Sequence, residues 1–364
     1  MRTARYLYGP SGAAHESCRP GMLHRRFGRH FAFSIAFAVV IVICLADAHA
    51  IGKPQTVTPV AGRLRATIDP AIAKKLLALV PDHISERDVR DVLVHVPAPR
   101  ILLFQGSIAL VTMEPFAKFL IAMGYPEERI RNPHDGSHSW SSFADSEELA
   151  GTLAWYYENE GVRPMMIGHS QGGMLAIRVL YELAGAFNKS IPVWNPVTDN
   201  AEARTTIVDP INGDATPVVG LKMPYAAAIA TGKLPRILLG QWTMLDKLRK
   251  IPDSVEEFTG FGMGWDLIAG EFAGGEPYRA IGSAAVRNVE LPSAYSHIGL
   301  PQVDHLASNA LTRAWIDAYA PGKSAAALDD AHVDTINLIH AADIWRSVKK
   351  HWCAEAQRLF DEPR

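Results

Sequence analysis

Cysteine is scarce: 364 residues contain three, Cys18, Cys44 and Cys353. Two fall in the first fifty positions, and a lone Cys353 cannot close an intrachain disulfide. Stability must therefore come from core burial. A membrane-length apolar run is missing as well. The one continuous apolar stretch, Phe31 to Ala46, is shorter than the ~20 residues a crossing helix needs. Positive charge is not in excess either, with a formal net charge of −2. Six of the 36 basic and two of the 38 acidic residues precede position 51, so the remainder carries −6. A mildly acidic chain without a basic run is a poor nucleic-acid binder. No internal repeat or low-complexity tract is present. At 48% hydrophobic and 20% charged, the composition is that of a globular chain and not a disordered or fibrous one.

What is present begins with a leader. Arg25, Arg26 and Arg29 precede the apolar run, which exits through Ala48-His49-Ala50. Basic start, apolar middle and small-x-small exit predict a secretory signal peptide over residues 1–50, cleaved near Ala50. An uncleaved anchor is the alternative. Bulky Ile43 before Cys44 argues against a lipoprotein site. A start at Met22 would give the leader an ordinary length. The expected location is secreted or periplasmic.

Beyond the leader, residues 51–99 are a Pro-punctuated segment with a helical candidate (Ala71–Leu79) and a β-like run (Val89–Val96). From residue 100 to 320, short apolar runs alternate with helical patterns. Ile101–Phe104 predicts a buried strand. Pro115 opens a helix with Phe116, Phe119, Leu120 and Met123 on one face, stopped by Gly124. A short strand is expected around Arg129–Arg131. Asp145 and Glu148 resemble a capping box for a helix through Leu149, Leu153 and Tyr156. Met165–Ile167 reads as a strand and Met174–Leu183 as a helix. The alternation lapses over 191–252, a proline-rich insertion with apolar middles at Met223–Ile229 and Ile237–Leu245. It is expected to be partly helical and to lie over the sheet edge as a possible lid. Strands follow at Val255–Thr259 and Val286–Leu291, then helices at Asp304–Tyr319 and Val333–Leu359, the latter in a C-terminal extension (321–364). Strands alternating with helices predict an α/β fold with a mostly parallel sheet flanked by helices.

Gly168-His169-Ser170-Gln171-Gly172-Gly173 sits between the predicted strand Met165–Ile167 and the predicted helix Met174–Leu183. A serine on a tight strand-to-helix turn needs small neighbours on both sides. Its hydroxyl is then projected over the sheet edge, at a helix start whose dipole favours a developing oxyanion. An ordinary glycine-rich turn is the bland alternative.

With this motif, the chain over about residues 100–320 resembles the α/β-hydrolase superfamily, in its secreted lipase and esterase branch. The strand ending Gln105-Gly106-Ser107 adds to the resemblance, although Gln105 stands where the family usually has His. The resemblance implies Ser170 as nucleophile, with the amides of Ser107 and Gln171 as oxyanion hole. It also implies an acid after the next-to-last strand and a histidine after the last. Asp266, in Gly264-Trp265-Asp266-Leu267-Ile268-Ala269, resembles the family's acid segment. Asp253, Glu256 and Glu257 fit less well. For the base, His297 stands first because it leaves a strand into a loop. His305, beside the helix-capping candidate Asp304, is the alternative, and His340 follows with a sufficient packing role.

No cofactor is expected. His134, Asp135 and His138 have metal-like spacing, but Pro133 and Gly136 make that segment a loop and no third ligand accompanies it. The expected activity is hydrolysis of a small-molecule or lipid ester, with transient contact of the apolar insertion at a lipid interface. An acyltransferase or thioesterase on the same residues, or a non-catalytic exported binding protein on this scaffold, are the alternatives.

Overall fold

In the computed structural model, residues 60–108, 110–232, 242–271, 275–322, 328 and 333–360 are described. The expected leader, its cleavage site, Cys18 and Cys44 lie outside them, as does 237–241 of the second apolar run.

Five strands form the central sheet: β1 (Ile101–Phe104), β2 (Met165–His169), β3 (Met223–Ile229), β4 (Val255–Met263) and β5 (Ala285–Leu291). They pair in the order β1-β2-β3-β4-β5, every pair parallel. The expected α/β architecture with a flanked parallel sheet is therefore observed. Strands covered on both faces read as continuous apolar runs, which is why Ile101–Phe104 carries no polar alternation. Successive side chains still part to opposite faces. Ile101, Leu103, Met165, Ile167, Tyr225 and Ala227 enter one core; Leu102, Phe104, Met166, Ala226 and Ala228 enter the other.

Helices close both faces. The first core takes α1 (Val60–Thr67), α2 (Pro70–Ala78), α3 (Glu86–Asp91), α4 (Glu114–Ala122), α7 (Ala310–Ala318) and α8 (Leu338–Arg358). The second takes α5 (Ser146–Glu160) and α6 (Gln171–Leu183). Trp345 and Trp352 of α8 are fully buried in the first. Burying a large apolar side chain stabilises by about 1.5–3 kcal/mol, so α8 is structural to the sheet it covers. Gln357 on α8 also donates to the carbonyls of Leu76 and Leu79.

Several local expectations are corrected. Val89–Val96 is not β-like: α3 and a 3₁₀ turn, Leu93–His95, occupy it. Ser85 and Asp88 form a reciprocal capping box, and Val89, Val92 and Leu93 share a helical face toward the core. Arg129–Arg131 is no strand. A 3₁₀ turn covers Glu127–Arg129, and it is Trp140 that bridges β1 at Phe104. Met223–Ile229, expected in an insertion, is the middle strand of the sheet, with every residue buried. Its apolarity serves the core and not a lid. Short antiparallel pairs (Trp194–Asn195 with Asn200–Ala201, Thr206–Val208 with Ala215–Pro217) precede it. The expected helix Asp304–Tyr319 splits into a 3₁₀ turn, Asp304–Ala307, and α7, which Asn309 caps; Asp304 caps neither. α8 starts at Leu338, five residues later than expected.

Candidate active site

In a parallel sheet the C-terminal strand ends share one edge, where loops can converge. Ser170 follows β2, Asp266 follows β4 and His297 follows β5. His297 Nε2 lies 2.9 Å from Ser170 Oγ, and His297 Nδ1 lies 2.7 Å from Asp266 Oδ2. All three residues are buried, with His297 at 6% exposure. Burial alone would raise the Asp266 carboxyl. The hydrogen bonds from His297 and from the Ala269 and Ile268 amides outweigh it and hold the pKa below the usual value. Those amides reach Oδ1 at 3.0 and 3.1 Å. An ionised Asp266 can only accept, so Nδ1 carries the ring proton and Nε2 receives the Ser170 hydroxyl.

The turn at Ser170 shows why its neighbours are glycines. Ser170 has φ 54° and ψ −119°, a conformation that L residues rarely adopt and that surrounding structure must enforce. The enforcement comes from the end of β3 and the residues just after it. Ser170 N–H donates to the Ile229 carbonyl at 2.7 Å, and Thr231 Oγ1 donates to the Ser170 carbonyl at 2.8 Å. A Cβ on Gly168 would fall 2.2 Å from the Gly172 carbonyl oxygen, and one on Gly172 would fall 2.2 Å from that of Phe104. Ser170 is the N-cap of α6 but makes no side-chain cap bond, which leaves Oγ directed at His297.

α6 begins at Gln171, so its amide is among those without an intrahelical acceptor. The loop after β1 lies against the same turn, since a Cβ on Gly106 would be 3.3 Å from Ser170 Cβ. Ser142 fastens this loop by donating to the Gly106 carbonyl at 3.2 Å, and Ser139 donates to Gln105 Oε1 at 2.9 Å. Ser107 is the next residue, exposed at the edge.

The other histidines stand elsewhere. His305 is part-exposed and faces Asp334 at 3.6 Å. His340 is fully buried on α8, where Nε2 meets the Leu300 carbonyl at 2.8 Å. Glu257 lies toward the start of β4 among Lys350, His351 and Arg287, and Glu256 pairs with Arg163. Asp253 is bound by Ser283. His138 is engaged by Glu114 and Glu127. Among the described residues, no group of three or more His, Cys, Asp or Glu is arranged to hold a metal ion, and no helix is long and apolar enough to cross a membrane.

Sequence reading left His169, Asn337 and Thr231 without a role. Asn337 Nδ2 donates to the carbonyls of Gly299 and Gln302, so it and His340 both hold the turn that carries His297. His169 closes an all-buried strand, and a polar residue in that position is the signal that could have singled it out. A serine hydroxyl, an imidazole and a carboxylate in one hydrogen-bonded line can generate a nucleophile.

No family model and no curated protein matches the chain. Among solved structures, it is similar to one described as RedJ with a PEG molecule bound in the active site. That match has 13% sequence identity and a TM-score of 0.23, and covers 58% of this chain and 90% of the other.

Proposed function

We propose that this chain is a serine hydrolase of the α/β-hydrolase type that cleaves carboxylic esters through an acyl-enzyme. The single observation that carries the reading is the line Ser170 Oγ–His297–Asp266 at 2.9 and 2.7 Å, at the C-terminal edge of the sheet. Ser170 Oγ attacks the ester carbonyl carbon while its proton passes to His297 Nε2. Asp266 fixes the tautomer and stabilises the imidazolium. The negative charge that develops on the carbonyl oxygen is met by the Gln171 and Ser107 amides, each worth about 2.7–4 kcal/mol of barrier. Collapse expels the alkoxide, which takes the proton from Nε2. Water, deprotonated by the same nitrogen, then releases the acid and restores Ser170.

An apolar ester is favoured by the surroundings. Ile108 and Leu110 follow β1, Trp265, Leu267 and Ile268 flank Asp266, and Ile298 follows the base. Leu110 is 94%, Leu267 72% and Trp265 68% exposed. Large exposed apolar side chains on the segments that follow β1, β4 and β5 suit a contact surface. They fit a small-molecule or lipid ester and transient contact with a lipid interface. The composition of residues 1–50 supports export as part of this reading.

Labelling with a fluorophosphonate, followed by peptide mapping, tests the proposal. The probe is expected on Ser170 and absent from the Ser170→Ala variant, which also loses ester hydrolysis by about 10⁴-fold or more. Labelling of Ser170→Ala at the wild-type level puts the reactive nucleophile elsewhere and sinks the assignment, whereas a wild type that neither labels nor hydrolyses leaves a binding protein on this scaffold.

A further inference from the structure

We infer that His169 is a positioning residue for His297, its ring N–H tying the main chain of the base to the strand that carries the nucleophile. This rests on the ester-hydrolase reading above. His169 Nε2 lies 2.8 Å from the His297 carbonyl oxygen, and the two rings are 5.1 Å apart at 52°. Carbonyl oxygens only accept, so Nε2 must carry the proton. The other nitrogen, Nδ1, is buried without a hydrogen-bond partner, as expected of a neutral ring with its lone pair there. A Cβ on Gly106 would lie 3.2 Å from Nδ1, so the glycine of the β1 loop leaves the ring its place.

Ser170 and His297 need such a link because of the topology. Ser170 follows β2 and His297 follows β5, the edge strand, with β3 and β4 between. No ladder hydrogen bond joins β2 to β5, so the ladder alone does not set the position of the base over Ser170. The ring of His297 is held by Asp266 and Ser170, but the backbone that carries it must be held too. Asn337 and His340 fasten the carbonyls of Gly299, Leu300 and Gln302 from α8 and its approach. Of these clamps His169 is different in kind. It fastens His297 itself, and it does so from the residue bonded to Ser170. Any shift of the nucleophile's strand therefore carries the base with it.

The ring must stay neutral to do this without placing a second cation beside the imidazolium that forms in turnover. Burial, helped by the nearness of His297 and His340 and opposed by the hydrogen bond to the His297 carbonyl and by Asp266, pushes His169 down to about 3. Across the neutral range it is thus a fixed single donor.

The test uses the full chain with ¹⁵N-labelled histidine. In the wild type, His169 is expected as the neutral tautomer protonated on Nε2, and the His297 Nδ1 proton at low field. His169→Leu removes the donor and His169→Gln keeps one. The Leu variant is expected to lose roughly 10- to 100-fold in kcat with KM unchanged, and to shift or broaden the His297 proton resonance. The Gln variant should recover part of kcat. A folded His169→Leu chain that keeps both kcat and the His297 resonance overturns the proposal. So does a wild-type His169 protonated on Nδ1, a measurement that decides the matter alone if the Leu variant does not fold. A wild type that neither labels nor hydrolyses esters overturns the hydrolase reading. The His169 tautomer and His297 resonance then decide separately whether His169 holds His297.

Discussion

His297 Nε2 reaches Ser170 Oγ at 2.9 Å across 127 positions of sequence, from the edge strand to a strand three places away in the sheet. The same ring meets Asp266 at 2.7 Å. His305 and His340, which compete with it in the sequence, face Asp334 and the Leu300 carbonyl instead. His297→Ala is therefore expected to lower kcat by about 10⁴-fold or more, with the residual rate carried by the oxyanion hole and substrate binding. His305→Ala should stay near wild type. His340→Ala should lose stability ahead of chemistry. Steady-state kinetics on the three variants, with folding checked by circular dichroism, decides it; a near-wild-type His297→Ala refutes the assignment.

The glycines of the turn and of the sheet have unequal roles. Gly172→Ala would set a methyl 2.2 Å from the Phe104 carbonyl, which is backbone and cannot yield cheaply. A cost toward the upper end of about 1–3 kcal/mol, with loss of the Ser170 geometry, is expected. Gly262 on β4 meets nothing within 4 Å of an added Cβ, so Gly262→Ala should stay within about 0.5 kcal/mol. Thermal unfolding of the pair gives the comparison, and equal costs would count against the steric account.

Acid sensitivity should follow Glu257. Burial alone would raise its pKa, but hydrogen bonds from His351 and Lys350 outweigh that and hold it well below the carboxylate range. A depressed carboxylate contributes in full above its unfolded-state pKa, and the contribution fades as pH falls toward the folded-state value. Glu257→Gln should thus cost about 3 kcal/mol at neutral pH and progressively less in acid. Urea unfolding at neutral pH and near about pH 3 reads this directly; a gap that widens in acid would contradict it.

Substrate preference follows from the apolar rim. If Leu110, Trp265 and Leu267 receive the acyl chain, each added methylene contributes up to ~0.8 kcal/mol of binding. kcat/KM should then rise from acetyl toward octanoyl esters, and a flat or falling series would remove the rim from substrate binding.

Much of the fold was legible because local physics fixed it. Ile101–Phe104 and Met165–Ile167, short apolar runs followed by glycine-containing turns, read as buried strands; Pro115 fits a helix start, and Gly168–Gly173 marked a serine on a tight strand-to-helix turn. Met223–Ile229 was misread because a strand buried on both faces has the same composition as an apolar insertion, and only its neighbours β2 and β4 distinguish the two. Val89–Val96 was misread because β-branched residues masked a helix that Ser85 and Asp88 start.

What the sequence determined by itself, then, is what short-range geometry dictates: the alternation of strands and helices and the glycines required around Ser170; the acidic and histidine candidates downstream came from the resemblance. Which histidine meets Ser170 and Asp266, and what holds it there, was decided by the tertiary structure alone. His297 was one of three plausible bases, and the hydrogen bonds of His169, Asn337 and His340 to its turn join residues up to 128 positions apart. Those contacts depend on strand order and helix docking, which no local pattern encodes, since a ring N–H meets a carbonyl only after the sheet has brought the two chains to the same edge.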